Sequence, residues 1–447
     1  SSPRVPVLKL SSAPGVMLVL HLHSCVFLFW STLLLSLSSS RAAAQLHKLD
    51  YNFAGRGTVE AVSALLGRVL QIPTRHLPFE LEMVTSCTGA KPRASRSDLC
   101  FELLQRESIT PGKPQILIRG TSAVDIARGA AHYLRSYCNM SFAWARTGGN
   151  LVYIPAVWPS IGNTPVVRWR LRDISYGFNV CTFSYTEVWY AFGSPSSQAS
   201  FSESWENLID WMALTGINLA LAYTGQEEVY RKVYERFGVN SASFASWSNG
   251  PAHLTWSRGQ SMHGVGGPLP RRWMESQWEL QRQILQRMRE LGIVPVLPAF
   301  QGNVPPLMAS IYPHANITVQ GAQWGNGTSA WLDATDGLFQ QIGDAFMRQL
   351  VADFGMDTDG DGLGDVTEHW YEADGYFAAG HPPWRRRLRG AFGVAEADGD
   401  AYQNAYAHAS RAYAAMNSTD PESRWLYQGW ILRDTPHDLE VMRGFAA

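Results

Sequence analysis

The chain has no surplus of either charge. Its 447 residues hold 37 Lys and Arg against 38 Asp and Glu, a formal net charge of −1. Such a balance sets up no field for a nucleic-acid backbone, and no nucleic-acid partner is expected. The single basic run, Arg385 to Arg389, is short and reads as a solvated helix face. No G-x-G-x-x-G follows an apolar strand, which disfavours a dinucleotide-binding sheet, and no cofactor for catalysis is expected. Cysteine is sparse, with five in all. Cys25 lies in an N-terminal apolar segment, and Cys87, Cys100, Cys138 and Cys181 allow three pairings. Cys87 with Cys100, which would close a hydrophilic loop, is the expected pair.

What the chain has in quantity is apolar and aromatic residues, 46% and 12%. That content can bury a large core in two or more domains. Met17 to Ser38 is uncharged and nearly long enough to cross a bilayer, and an A-x-A sequence follows at Ala42 to Ala44. Residues 1–45 are therefore expected to be a signal peptide; the rival reading is an uncleaved anchor, the sole membrane contact expected. Four N-x-[ST] sequons, at Asn139, Asn316, Asn326 and Asn417, fit passage through the secretory route to a lysosomal or extracellular destination.

Along the chain two grammars alternate. Between 46 and 160, a helix at "TVEAVSALLGRVLQ" and one at "SAVDIARGAAHYLRSYC" accompany the short runs "FELEMV", "QILIRG" and "LVYIP", which describes a small α/β domain. From 166 to 447, apolar strands follow long helices: "GINLALAY", "GIVPVLPAF", "EHWYEAD" and "RWLYQGW", with "GFNVCTF" as the first. Buried parallel strands alternating with such helices predict an α/β class fold, a (β/α)8 TIM-type barrel of which about five strands are present.

In a barrel the chemistry gathers at the C-terminal ends of the strands. Those positions hold Asn179, Cys181, Tyr185, Tyr223, Gln226, Glu227, Gln301, Asn303, Gln428 and Trp430, amides, carboxylates and aromatics suited to sugar hydroxyls and sugar faces. The runs "NVCTFSYTEVWY", "IDWMALTGINLALAYTGQEEVY", "NGPAHLTWSRGQSMHG", "GPLPRRW", "PVLPAFQGNVP" and "WLYQGW", in that order, resemble glycoside hydrolase family 89, the lysosomal-type α-N-acetylglucosaminidases. The resemblance reaches back through "RGTSAVDIARGAAHYLRSYC". It implies a small N-terminal domain, a TIM-type barrel, and exo-removal of terminal α-linked N-acetylglucosamine from glycans such as heparan sulfate with retention of configuration. Asn179, Cys181, Tyr185, Gln226, Glu227 and Trp430 are the expected substrate-binding residues.

A retaining mechanism needs two carboxyl groups about 5 Å apart, one of them a proton donor. The family motif reads roughly Tyr-x-Ala-Asp-x-Phe-Asn-Glu; here Tyr371, Ala373 and Asp374 are kept, but Phe377 and Ala378 stand at the Asn and Glu positions. The nearby carboxylates are Glu372 and Asp374, two residues apart on one strand face, and these are the catalytic candidates. The family's nucleophile is expected beyond Ala447. Asn303 occupies a position where the family often has His, and the loop "HGVG" lacks the family's Trp and Asp, so substrate preference is expected to differ. The alternative is a non-catalytic carbohydrate-binding protein that has lost the acid.

An insertion relative to that family, Asp357, Asp359, Asp361, Gly362, Asp365 and Glu368, fits positions 1, 3, 5, 6, 9 and 12 of a Ca²⁺ loop. A structural Ca²⁺ bound by Asp357, Asp359, Asp361, Asp365 and Glu368 is expected, against a solvated acidic loop as the alternative. Position 8, usually apolar, is Gly364.

Overall fold

A computed structural model describes residues 55–106, 116–143, 149–177, 189–193, 203–259, 263–321, 328–373, 401–427 and 436–447. The N-terminal module consists of α1 (Val59–Leu70), β1 (Phe79–Met83), β2 (Cys100–Gln105), β3 (Ile116–Gly120), α2 (Ala123–Ser136) and β4 (Val166–Trp169). Both helices start where the sequence supplies a hydroxyl cap. Thr58 Oγ1 accepts from the Ala61 amide at 3.1 Å, and Ser122 Oγ accepts from the Asp125 amide at 3.2 Å. The sheet order is β1-β3-β2-β4, with β1 and β3 parallel and the other pairs antiparallel. Cys87 and Cys100 are disulfide-bonded, as expected, and Cys138 is a buried free thiol.

Two expectations are corrected here. "LVYIP" forms no strand beyond a bridge from Leu151 to Ser141, and the missing strand is "CFELLQ", whose Cys100 end is tied by the disulfide. Val166–Trp169 belongs to this small sheet, with Cys100 opposite Trp169, so the barrel does not begin at 166. Val166 and Val167 are β-branched and find an antiparallel partner in β2 before the chain turns into the barrel.

The barrel part runs β5 (Tyr176–Gly177), α3 (Trp205–Thr215), β6 (Leu219–Leu221), α4 (Gln226–Arg236), α5 (Ser241–Trp247), α6 (Leu254–Arg258), α7 (Arg271–Glu290) and β7 (Val294–Pro298). It continues through β8 (Asn303–Val304), α8 (Met308–Ile311), β9 (Ile317–Gly321), β10 (Thr328–Leu332), α9 (Gly337–Phe354), β11 (Trp370–Glu372), α10 (Ala401–Asn417), β12 (Arg424–Leu426) and α11 (Pro436–Ala446). Strands β5, β6, β7, β11 and β12 are neighbours in that order and all parallel, a half-barrel. Strands β8, β10 and β9 form a separate antiparallel sheet.

Side chains on the half-barrel sort by parity. Leu219, Leu221, Tyr223, Val294, Val296 and Trp370 make one apolar cluster with Tyr176 and Leu426 on the concave face. Ala220, Ala222, Leu297, Ala299, Tyr371 and Ala373 belong to the larger core under the helices. Each fully buried Leu or Val contributes about 1.5–3 kcal/mol, so this alternation fixes which face is concave. At the N-terminal end of β11, Asp420 accepts from the Tyr371 hydroxyl and pairs with His369 Nδ1, both at 2.7 Å, which fastens the floor of the sheet.

An ion pair and a buried arginine join the two modules. Arg68 of α1 grips Asp210 of α3 with two bonds, Nε–Oδ2 at 2.9 Å and Nη2–Oδ1 at 2.8 Å. Arg170 reaches Asp125 of α2 at 2.7 Å and the Gly216 carbonyl behind α3 at 2.7 Å. Three of the sequon asparagines, Asn139, Asn316 and Asn417, are exposed, and Asn326 lies outside the described residues.

Candidate active site at the mouth of the half-barrel

Helix α4 begins at the C-terminal end of β6, and its start is set by Gly225, at φ 76°. A side chain there would be strained in φ and would put a Cβ 2.7 Å from the Gln277 carbonyl oxygen, so α4 and α7 pack together only around glycine. The turn delivers Gln226 and Glu227 to the mouth, 2% and 6% exposed. Gln226 Nε2 donates to the carbonyls of Tyr223 and Arg258 at 3.3 and 3.1 Å. Glu227 Oε1 accepts from Arg258 Nε at 2.6 Å, and Arg258 Nη2 donates to Gln277 Oε1 at 3.0 Å.

These bonds satisfy only half of each group. Gln226 Oε1 and Glu227 Oε2 are buried without a partner among the described residues, as are the Tyr223 hydroxyl and Gln301 Oε1. All four belong to the segments that leave the C-terminal ends of β6 and β7, two adjacent strands. Orphaned buried polar atoms cost about 1–3 kcal/mol each, so a cluster of them at one end of a sheet marks a surface built for a polar ligand.

Farther along the same rim, His263 lies flat on Trp247, with ring centroids 4.0 Å apart. Asn303 Oδ1 accepts from the Tyr230 hydroxyl at 3.3 Å, which leaves Asn303 Nδ2 to donate to His263 Nε2 at 3.2 Å. Burial pushes the His263 imidazole down to about 3, so the ring is neutral and its proton sits on Nδ1. Both polar atoms of the Asn303 amide are thus engaged.

Glu372, the last residue of β11, stands opposite Pro298 of β7 and Leu426 of β12. It follows Trp370 by two residues, which places it on the concave face, and it is 1% exposed. The remaining expected site residues, Asp374, Asn179, Cys181, Tyr185 and Trp430, lie outside the described residues, as do Phe377 and Ala378. Arg258 and His263 were not singled out from sequence. Both sit in the quoted run "NGPAHLTWSRGQSMHG", but their partners, Glu227 and Asn303, are 31 and 40 residues away.

The acidic loop after α9 is brought together only in part. The carboxylates of Asp357, Asp359 and Asp361 approach within 4.8 Å of one another, all exposed. Asp365 Oδ2 instead accepts from the amide and hydroxyl of Thr358, bonds that hold its carboxyl below the usual range. Glu368 corrects the expected twelfth ligand: it is 3% exposed and bound to Arg289 at 2.5 and 3.3 Å. Gly364 stands where the loop closes on the end of α9, since a Cβ there would lie 2.2 Å from the Val351 carbonyl oxygen. Replacing Glu368 by Gln should therefore destabilise the fold by about 2 kcal/mol, because it removes the negative charge buried against Arg289. Thermal melts with Ca²⁺ and with chelator should show the same loss; a loss seen only with Ca²⁺ would restore Glu368 as a metal ligand.

Residues 175–438 match the family model for the α-N-acetylglucosaminidase (NAGLU) TIM-barrel domain, and residues 60–160 match that for its N-terminal domain. The human (Homo sapiens) α-N-acetylglucosaminidase is 35% identical over 332 residues, which are 73% of this chain and 39% of the human one. A family 89 glycoside hydrolase of Clostridium perfringens, solved with its substrate GlcNAc-α-1,4-galactose in a variant with two Glu-to-Gln substitutions, superposes with a TM-score of 0.67. Its sequence identity is 27%, over 89% of this chain and 39% of that one. The bacterial enzyme bound to 2-acetamido-1,2-dideoxynojirmycin gives 0.66 at 27% identity, over 88% and 39%. This chain thus spans about two fifths of the length of the relatives it matches. On the matches of both domains and of the human sequence, the chain belongs to the α-N-acetylglucosaminidase family, glycoside hydrolase family 89.

Proposed function

We propose that this chain carries the sugar-binding half of an exo-acting α-N-acetylglucosaminidase, which removes terminal α-linked N-acetylglucosamine from glycans such as heparan sulfate with retention of configuration. The observation that carries the reading is the set of buried polar atoms at the barrel mouth without partners among the described residues, Tyr223 Oη, Gln226 Oε1, Glu227 Oε2 and Gln301 Oε1. A pyranose offers alternating hydroxyls that donate to such oxygens, and burying them repays the desolvation already spent. Glu372 on the concave face supplies a carboxyl within the sheet itself. Secretory placement, lysosomal or extracellular, is supported by the Cys87–Cys100 disulfide and by three exposed sequons.

Tyr223→Phe tests the pocket with little risk to folding. The hydroxyl it removes has no partner among the described residues, so stability should be unchanged or raised. Affinity for methyl α-N-acetylglucosaminide should fall by up to about tenfold, the worth of one neutral hydrogen bond. Calorimetry on the intact protein reads both; unchanged affinity with unchanged stability removes Tyr223 from the pocket.

One observation favours a second reading, a carbohydrate-binding protein without turnover. Ala378 stands at the family's acid position, and a methyl group donates no proton. Binding of the glycoside without hydrolysis between about pH 4 and 8 would decide for it.

A further inference from the structure

The geometry points to Trp189 as the platform that receives the saccharide on the leaving-group side of the bond, an inference that rests on the glycan-binding reading above. Trp189 is 58% exposed, the only exposed tryptophan among the described residues. An indole left in water forfeits a large burial gain, at about 25 cal/mol per Å² of apolar area, and solitary exposed Trp is an unusual choice unless a partner covers it. Its position is fixed from below. Trp273, in the first turn of α7, meets Trp189 at a ring-centroid distance of 5.6 Å and an interplanar angle of 73°. The edge-on contact holds the ring against rotation while leaving it more than half open.

The place of this pair in the fold identifies what would cover it. Helices of the barrel run from the mouth to the floor, so the first turn of α7 lies at the mouth, and Trp189 lies there through its contact with Trp273. Trp273 is one helical turn from Gln277, on the same helix face, and Gln277 is hydrogen-bonded to Arg258, which holds Glu227. Through Trp273, Gln277 and Arg258 the exposed ring is thus linked along α7 to Glu227, whose Oε2 has no partner among the described residues. The apolar, C–H-bearing face of a hexose complements an open indole, while the hydroxyls of the terminal sugar match the polar wall beside it. In an exo-acting enzyme the terminal sugar occupies the pocket, and the next sugar must lie at its rim.

Binding of two probes to the intact protein, followed by intrinsic fluorescence or calorimetry, tests the assignment: GlcNAc-α-1,4-galactose, and methyl α-N-acetylglucosaminide, whose methyl group is too small to reach a rim platform. Trp189→Ala should weaken the disaccharide about tenfold and leave the methyl glycoside within about twofold, and Trp189→Phe, which keeps a flat ring, should recover most of the loss. Equal weakening of both probes, or of neither, overturns the inference while the proposed function stands. A wild-type protein that binds neither probe defeats both, and its cause would then be read from the pocket and not from Trp189.

Discussion

Replacing Glu372 by Gln is expected to lower turnover of an α-N-acetylglucosaminide with a poor leaving group by about 10²–10⁴-fold, the usual worth of a general acid. The substitution keeps shape and volume, so a side chain that is 1% exposed between Pro298 and Leu426 is replaced without a cavity. What disappears is the proton. A leaving group that departs without protonation should be turned over by the variant within a few-fold of wild type, because the acid is then idle. The rate profile should also lose its alkaline limb, which reports the donor's deprotonation. If Glu372→Gln stays within about threefold of wild type on both substrates, Glu372 is a structural carboxylate. If Asp374→Asn shows the leaving-group-dependent loss instead, the donor is Asp374. Loss on both substrates alike, with normal binding, would assign Glu372 to positioning or to nucleophilic attack and not to proton donation.

Arg68→Ala is expected to destabilise the protein by about 3 kcal/mol at neutral pH, the largest effect on stability foreseen for a single residue. The reason lies in its partner. Asp210 is 1% exposed, and Arg68 supplies two of its hydrogen bonds, with Arg287 a more distant positive charge. Burial pushes the Asp210 carboxyl above its ordinary value, and Arg68 is the main group that pulls it back. Without Arg68 the carboxylate is left charged in the core between the N-terminal module and α3.

That cause fixes how the loss must depend on pH. A carboxyl whose folded-state pKa lies above its unfolded one stabilises the fold most below the unfolded value of 3.8 and loses that contribution as pH rises through the folded value. Removing Arg68 raises the folded value further, so the deficit of the variant should shrink on acidification, as Asp210 becomes neutral. Urea unfolding at about pH 4.5 and pH 7 measures this difference. A deficit equal at both would mean that Arg68 acts through packing of its stem alone, and no deficit would reduce the pair to a surface contact. An enzyme operating in an acidic compartment would tolerate such a substitution better than one at neutral pH.

Much of the scaffold was legible because it rests on local rules. Thr58, Ser122 and Ser204 cap the helices they precede, and α9 is one of the long helices expected ahead of the barrel strands. The strands "NLALAY", "VPVLP" and "HWYE" read as buried because both of their faces are apolar, the mark of a parallel sheet under helices. Where strands were misplaced, the deciding partner was remote. Leu151 to Pro155 has the composition of a strand, yet the sheet recruits Cys100–Gln105 and Val166–Trp169, since β2 can pair on both edges. Helix α4 escaped notice because "QEEVYRKVYER" carries few apolar residues; some of its buried charges are paired within the helix, such as Glu228 with Arg231 at 2.7 Å.

The acidic loop shows the limit most plainly. Spacing alone placed six residues in a Ca²⁺ pattern, and three of the carboxylates do converge. Glu368 does not join them, because Arg289 of α7, 79 residues earlier, reaches it first. Sequence by itself determined the apolar periodicities, the caps, the disulfide spacing and the run of motifs that mark the family, all of which depend on neighbours within a few turns of chain. Tertiary structure alone decided which half of each polar group at the mouth is satisfied, that Arg258 holds one oxygen of Glu227, and that Trp189 remains open against Trp273. Those outcomes depend on which strands lie side by side, and charge pairing and desolvation act through space between residues that the chain keeps far apart.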